Sequence, residues 1–176
     1  ERAAGQPTRF CRFAADARND RRIGPENAHR RAGGSVGNVQ YEHITSQRKL
    51  VRYCEANSDA RWIGVDTEFV SEDSYHPELC LVQVATDEGL AVIDALSVKD
   101  LNPFWEWLAT PGHQTVVHAG RYELCFCHRA VGKRPSRLFD TQIAAGLIGL
   151  EFPAAYRTLI SKLLGKAVKK GETRTD

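Results

Sequence analysis

The chain has 176 residues, of which 42% are hydrophobic, so it is long enough and apolar enough to build one domain around a core. No apolar run approaches the roughly 20 residues of a membrane-spanning helix, so we expect a soluble protein. The formal net charge is only +2, and neither Gly132-Lys133 nor Gly165-Lys166 has the spacing of a phosphate-binding loop. Use of a nucleoside triphosphate is therefore not indicated.

Residues 1–40 differ from the rest in composition. They carry eight arginines against four acidic residues, are rich in alanine and glycine, and show no sustained apolar period. We expect a disordered basic extension, or sequence that is not native to the protein. An organelle transit peptide is disfavoured by Asp16, Asp20 and Glu26. The domain itself is placed at residues 41–176.

The first half of this domain is predicted to contain one helix and three strands. The helix covers residues 46–57, with Thr45 as its candidate N-cap. Three strand-like apolar runs follow, at 62–69, 79–86 and 90–96. The turn residues Asp-Glu-Gly at 87–89 join the last two, so the three runs predict an antiparallel meander.

The second half alternates helices with one further strand. The predicted elements are a helix at 103–108, a strand at 115–118, and helices at 121–131, 143–150 and 156–164. Asp140 precedes the fourth of these helical segments and is well placed to cap it. A meander followed by alternating helices and strands predicts a mixed α/β sheet with helices on both faces.

Two acidic residues stand at the end of the first predicted strand. Asp66 and Glu68 are two positions apart, so they project from the same face of the strand, whereas Thr67 faces the other side. Paired carboxylates suit Mg²⁺ or Mn²⁺, and two such ions about 3.5–4 Å apart can clamp a phosphodiester. Taken alone, the same triplet is also compatible with two solvated acids at a strand end.

Ordered motifs around these acids resemble the exonuclease domain of the ribonuclease D family, within the four-carboxylate 3′–5′ exonucleases of the tyrosine subtype. The motifs are Gly-Val-Asp-Thr-Glu-Phe at 64–69, Leu-Val-Gln-Val at 81–84, Val-His-Ala-Gly-Arg-Tyr-Glu at 117–123, Phe-Asp-Thr-Gln-Ile-Ala-Ala at 139–145, Leu-Ile-Ser-Lys-Leu-Leu-Gly at 159–165 and Lys-Gly-Glu-Thr-Arg-Thr-Asp at 170–176. The resemblance covers about residues 41–176 and implies a ribonuclease H-like mixed sheet flanked by helices.

Two features depart from the family pattern. The family's second motif has an aspartate five residues after the histidine, where this chain has Glu123. Glutamate keeps the charge and adds a methylene, so we expect metal binding with altered geometry. The third motif, a tyrosine followed four residues later by an aspartate, would lie beyond Asp176. We therefore expect strongly reduced turnover by residues 1–176 alone.

The resemblance implies hydrolysis of the 3′-terminal phosphodiester of RNA with two Mg²⁺ or Mn²⁺ ions. Asp66 would contact both ions, Glu68 would hold one of them beside the attacking water, and Glu123 would complete the second position. These three residues are the predicted catalytic and metal-binding set. Two alternatives remain open: a non-catalytic nucleic-acid-binding module of the same fold, and a DNA 3′–5′ exonuclease, since nothing in the sequence identifies a reader of the 2′-hydroxyl.

Four further residues are candidates for roles around the site. His118 either contacts substrate or is a structural strand-end histidine. Phe69 either stacks on a terminal base or packs in the core. Thr67 would contact substrate through its backbone. Asp140 is interpreted as a helix cap or as support for the metal-binding residues.

The expected partner is the 3′ end of RNA, such as a tRNA precursor. Residues 121–176 hold eleven basic against five acidic side chains, so this segment can face a phosphate backbone. The candidate contacts are Lys133, Arg134, Arg137, Lys162, Lys166, Lys169 and Lys170. The alternative is that they form solvated surface. We expect a cytoplasmic monomer whose five cysteines are reduced thiols, because no metal-ligand spacing is present.

Overall fold

The computed structural model describes residues 40–71 and 77–166. Six strands lie in these ranges: β1 (Glu42–Ile44), β2 (Trp62–Val70), β3 (Glu78–Thr86), β4 (Gly89–Asp94), β5 (Gln114–Val117) and β6 (Phe139–Asp140). Five helices accompany them: α1 (Gln47–Ala56), α2 (Asn102–Ala109), α3 (Arg121–Val131), α4 (Thr141–Leu147) and α5 (Tyr156–Leu164). Within the same ranges, no helix is both long and apolar enough to cross a bilayer.

The strands form one sheet in the order β1-β4-β3-β2-β5-β6. β2, β3 and β4 pair antiparallel, whereas the β1–β4, β2–β5 and β5–β6 pairs are parallel. The predicted meander and the predicted mixed α/β sheet are therefore confirmed. Parallel neighbours need a crossover connection, and α2 and α3 supply the crossovers that precede and follow β5.

The two outer strands were not predicted from the sequence. β1 has three residues and β6 has two, which is too short for an alternating pattern to emerge. β6 matters for the site, because its pairing with β5 sets Asp140 beside Val117.

Two predicted helix boundaries were wrong. α1 begins after Ser46 instead of Thr45, and Ser46 makes no side-chain capping hydrogen bond. α4 covers Thr141–Leu147 instead of 143–150. Its early end has a backbone cause, since Gly149 adopts φ +77°, a left-handed conformation that does not continue a helix.

The main core lies between one face of the sheet and the first three helices. Ile63 and Val65 of β2 project into it, so the odd-numbered positions of this strand are the buried ones. The fully buried large side chains are Trp105, Phe104, Ile44, Leu50, Ile63, Ile93 and Leu108. Thr67 continues the same face of β2, whereas Asp66 and Glu68 lie on the alternate positions. The core thus fixes the direction in which each of these three side chains points.

Candidate active site

The acidic segment of β2 lies where this strand extends past its neighbour. β5 pairs only with residues Trp62, Ile63 and Gly64, so one edge of β2 is open at Asp66 and Glu68. On the other edge these acids pair with β3, and the register shifts directly after Glu68. Bulges of this kind are common beside active sites because they redirect a side chain.

The carboxylates of this region influence each other electrostatically. Desolvation raises the pKa of Asp66, although the side chain retains accessible surface, while the backbone of Thr67 and the imidazole of His118 lower it. Desolvation also raises the pKa of Glu68, and the charge of Asp66 raises it further. Two partly desolvated carboxylates are therefore held together at a cost that a cation would relieve.

Glu123 is held in the first turn of α3, which begins immediately beyond the end of β5. The turn is tight at Gly120, where an added Cβ would lie 2.3 Å from Cγ2 of Val117. Glu123 is only 5% exposed, and desolvation raises the pKa of its carboxyl group. The charge of Asp66 adds to this rise, so Asp66 affects both other acids.

The side chain of Thr67 contacts Glu123 directly. Its hydroxyl donates a 2.6 Å hydrogen bond to Oε1 of Glu123, and both residues are buried. This bond partly offsets the rise in the pKa of Glu123. The sequence analysis did not foresee the contact, although placing Thr67 on the face opposite Asp66 was the available signal. Glu123 is thus anchored from the core face of β2, while Asp66 and Glu68 occupy the alternate positions.

His118 follows β5 and is fixed by a short hydrogen-bond chain. Its Nδ1 lies 2.9 Å from Oγ1 of Thr141, and that hydroxyl donates its single hydrogen to the carbonyl of Val117 at 3.0 Å. Nδ1 is therefore assigned as the donor, which leaves Nε2 of the neutral ring as an acceptor. The ring also meets Tyr156 edge-on, with centroids 5.5 Å apart. Thr141 and Tyr156 were not identified from the sequence.

Phe69 is packed into an aromatic cluster. Its ring centroid lies 4.3 Å from that of Tyr122 and 5.6 Å from that of Phe126. The core-packing alternative therefore accounts for part of this side chain, and base stacking stays a prediction. Tyr122 is the more exposed ring of the pair, with 41% of its surface accessible.

Asp140 caps α4, as predicted. Its carboxylate accepts hydrogen bonds from the backbone N–H groups of Gln142 and Ile143, and also from those of Ala119 and Gly120 in the β5–α3 turn. Partial burial alone would raise the pKa of Asp140, but these four hydrogen bonds together hold it below its usual value. The residue therefore fastens the turn that leads to Glu123 onto the start of α4.

We expect Asp140→Ala to destabilise the protein by about 2–3 kcal/mol, from one lost cap and lost charge-assisted hydrogen bonds. Because the folded-state pKa is lowered, the stabilisation is present above the unfolded-state pKa of about 3.9 and is lost as pH falls through the folded-state value. Urea unfolding at neutral pH and near pH 3 measures both. Asp59→Ala, at an exposed position, is the control and should change stability by less than about 0.5 kcal/mol. An equal effect of the two substitutions would contradict the capping role.

The donor chemistry of the site fits a hard divalent cation. Within residues 40–71 and 77–166, no three His, Cys, Asp or Glu side chains stand together as a metal-binding group. Mg²⁺, however, is commonly held by one or two carboxylates, with water and substrate phosphate completing its shell. Asp66 and Glu68 meet that requirement, and Glu123 lies within electrostatic range of Asp66.

A carboxylate pair on a central strand of a mixed sheet, with a third acid on the following helix, defines a nuclease-like site. Residues 41–176 match the family model described as 3′–5′ exonuclease, and the chain belongs to that family. The curated relatives include ribonuclease D of Sphingobium indicum, 39% identical over 135 residues, which are 76% of this chain and 35% of that protein. Ribonuclease D of Escherichia coli is 34% identical over 138 residues, or 78% of this chain and 37% of that protein.

The solved structure of Escherichia coli RNase D matches with a TM-score of 0.71 at 34% identity, over 78% of this chain and 36% of that chain. The ribonuclease H-like fold expected from the motifs is therefore confirmed. The chain spans about a third of the length of the ribonuclease D proteins that it matches.

Proposed function

We propose that the chain is the nuclease part of a 3′–5′ exoribonuclease of the ribonuclease D type. The observation that carries the proposal is the electrostatic coupling of Asp66 to Glu68 and Glu123 in a chain of the 3′–5′ exonuclease family. The Escherichia coli relative is described as an exoribonuclease involved in structured RNA processing. By extension, the proposed substrate is the 3′ end of structured RNA, such as a tRNA precursor.

Exonucleases of this family generally depend on divalent metal ions, and we assign Asp66, Glu68 and Glu123 as the ligands here. Two bound Mg²⁺ or Mn²⁺ ions would supply an activated water near neutral pH and charge stabilisation at the leaving 3′ oxygen. Asp66 and Glu68 present their oxygens at the open edge of β2. Nε2 of His118 accepts a hydrogen bond from a hydroxyl of the terminal ribose, and the backbone of Thr67 and the ring of Phe69 contact the same nucleotide.

The wider assignments belong to the same proposal. The exonuclease domain occupies residues 41–176 and residues 1–40 stand outside it. We further propose a cytoplasmic monomer. Cys54, Cys125 and Cys127 are free thiols in the described part of the chain, which suits a reducing compartment, and Cys11 lies outside the described residues.

A non-catalytic nucleic-acid-binding module is the second candidate. The hydrogen bond from Thr67 to Glu123 favours it, because one oxygen of the third acid is already engaged. The two candidates differ in how RNA binding depends on metal. A module would bind RNA equally well with EDTA or Mn²⁺, and equally well after Asp66→Ala.

The proposed activity is tested with 5′-labelled RNA and an excess of the protein in Mn²⁺. We expect slow shortening from the 3′ end, seen as a ladder of products, that stops in EDTA and in the Asp66→Ala variant. A matched DNA oligonucleotide should be shortened more slowly, which separates the RNA and DNA activities. Internal cleavage, or a ladder that persists in EDTA, would contradict the proposal.

A further inference from the structure

A small cavity lies beside α3, away from the carboxylates. Its volume is about 280 Å³, and it is lined by Leu124, Arg134, Pro135, Arg137 and Leu138. We propose that it binds one phosphate-bearing nucleotide of the RNA strand, upstream of the 3′ terminus. This inference rests on the proposed function, because it deepens the assignment of RNA as substrate.

The loop that carries both arginines is rigidly anchored. Ser136, which lies between them, donates its N–H to the carbonyl of Leu108 at 2.8 Å and its hydroxyl to the carbonyl of His113 at 3.2 Å. Its own carbonyl accepts the N–H of Thr115 at 3.0 Å. Arg137 has φ +43°, which is uncommon for a residue with a side chain. The backbone that presents Arg137 is therefore fixed by hydrogen bonds to α2, β5 and the loop between them.

The structure separates the basic residues of this loop into two kinds. Lys133 is engaged, because its Nζ lies 2.6 Å from Oε2 of Glu106. In the parts of the chain that the structure describes, neither Arg134 nor Arg137 has a carboxylate within ion-pair distance. A guanidinium presents a planar set of donors that matches phosphate oxygens, and it keeps its charge when partly desolvated. Two unpaired arginines at one cavity therefore suit an anionic ligand.

The remaining lining residues suit the rest of a nucleotide. Leu124, Leu138 and the buried Pro135 give an apolar wall against which a ribose or base can pack. The volume is at or below the lower end of small-molecule pockets, roughly 300–1,000 Å³, which favours one unit of a strand over a large free ligand. Leu124 also directly follows Glu123 on α3, so the cavity adjoins the proposed metal-binding region.

The test compares Arg134→Ala/Arg137→Ala with the unmodified chain. Binding of fluorescein-labelled single-stranded RNA of roughly twelve nucleotides, a length within known single-strand sites, is measured by anisotropy in EDTA at several salt concentrations. Losing two phosphate contacts should weaken binding and reduce the slope of log K against log salt by about 1.4. Arg48→Ala/Arg52→Ala, which removes the same charge from exposed positions of α1, should leave the slope unchanged.

Three further arms make the result specific. A dinucleotide is too short to reach the cavity from the 3′-end site, so the double variant should bind it like the unmodified chain. Inorganic phosphate should not compete with the long RNA if a strand is required. Arg134→Lys/Arg137→Lys keeps the charge but loses the planar donors, and should bind with intermediate affinity.

Equal affinity and equal salt slope for the double alanine variant and the unmodified chain on the long RNA would overturn the inference. An equally large loss in the α1 control would also overturn it, because the effect would then be general charge. In both cases dinucleotide binding and metal-dependent shortening of RNA would leave the proposed function intact. Failure of the unmodified chain to bind any RNA would remove both.

Discussion

Asp66→Ala is expected to abolish divalent-metal binding, with a loss of Mn²⁺ affinity of more than about 100-fold. Residues that merely support a metal ligand contribute roughly 10–100-fold to affinity, and a shared ligand contributes more. Asp66 raises the pKa of both Glu68 and Glu123, so it is the one acid that is coupled to the other two. Isothermal titration with Mn²⁺ measures the loss directly.

A stability readout separates lost binding from lost folding. A ligand present at about 100 times its Kd stabilises a folded protein by about 2.7 kcal/mol, so Mn²⁺ should raise the melting temperature of the unmodified chain. The Asp66→Ala variant should fold and show no such rise, and Asp59→Ala should respond like the unmodified chain. Unchanged Mn²⁺ affinity in the Asp66→Ala variant would refute the assignment of the site.

Thr67→Val is expected to weaken Mn²⁺ binding by roughly 10–100-fold, although Thr67 is not assigned as a ligand. The substitution keeps the shape of the side chain and removes the hydroxyl that donates to Oε1 of Glu123. A buried carboxylate left without this donor should also reduce the free energy of unfolding by about 1–3 kcal/mol. Titration with Mn²⁺ and urea unfolding measure the two effects.

The matched control for Thr67→Val is Thr67→Ser, which restores the hydroxyl and should recover most of the metal affinity. A second variant isolates the contact itself. Glu123→Asp is one methylene shorter, so on that background Thr67→Val should cost less than it does alone. Metal affinity that is equal in the valine, serine and unmodified proteins would show that Thr67 does not position Glu123.

The sequence predicted the elements whose patterns are long. β2, β3 and β4 are six to nine residues each and alternate or form continuous apolar runs, so their strand character and antiparallel order were readable. The bounds of α3 and α5 agree with those predicted, and both helices end at a glycine in the left-handed conformation. Local chemistry was sufficient in these cases because chain neighbours determine it.

Contacts between distant segments were less accessible. Asp66 and Glu68 share a strand, so their common face follows from the two-residue period alone. The bond from Thr67 to Glu123 spans 56 positions and depends on how α3 packs on β2, which no local pattern encodes. The chain from His118 through Thr141 likewise needs β6, a two-residue strand, to set α4 beside the end of β5.

The basic residues show the same limit. Composition identified a surplus of positive charge in residues 121–176 but could not separate engaged from available side chains. In the structure, Lys133 pairs with Glu106 and Lys162 with Glu151, at 3.4 Å in the second case. Lys169 and Lys170 lie outside the described residues. Which lysines and arginines remain available to phosphate is decided by tertiary contacts.

The most direct test of the account is to locate Mn²⁺ in crystals of the chain by anomalous scattering. We predict a peak bound by the carboxylates of Asp66 and Glu68 at the open edge of β2, with Glu123 facing the same density. The peak should be missing in crystals of the Asp66→Ala variant grown under the same conditions. Ordered Asp66 and Glu68 side chains without a peak at saturating Mn²⁺, or a peak held by other residues, would contradict the central claim.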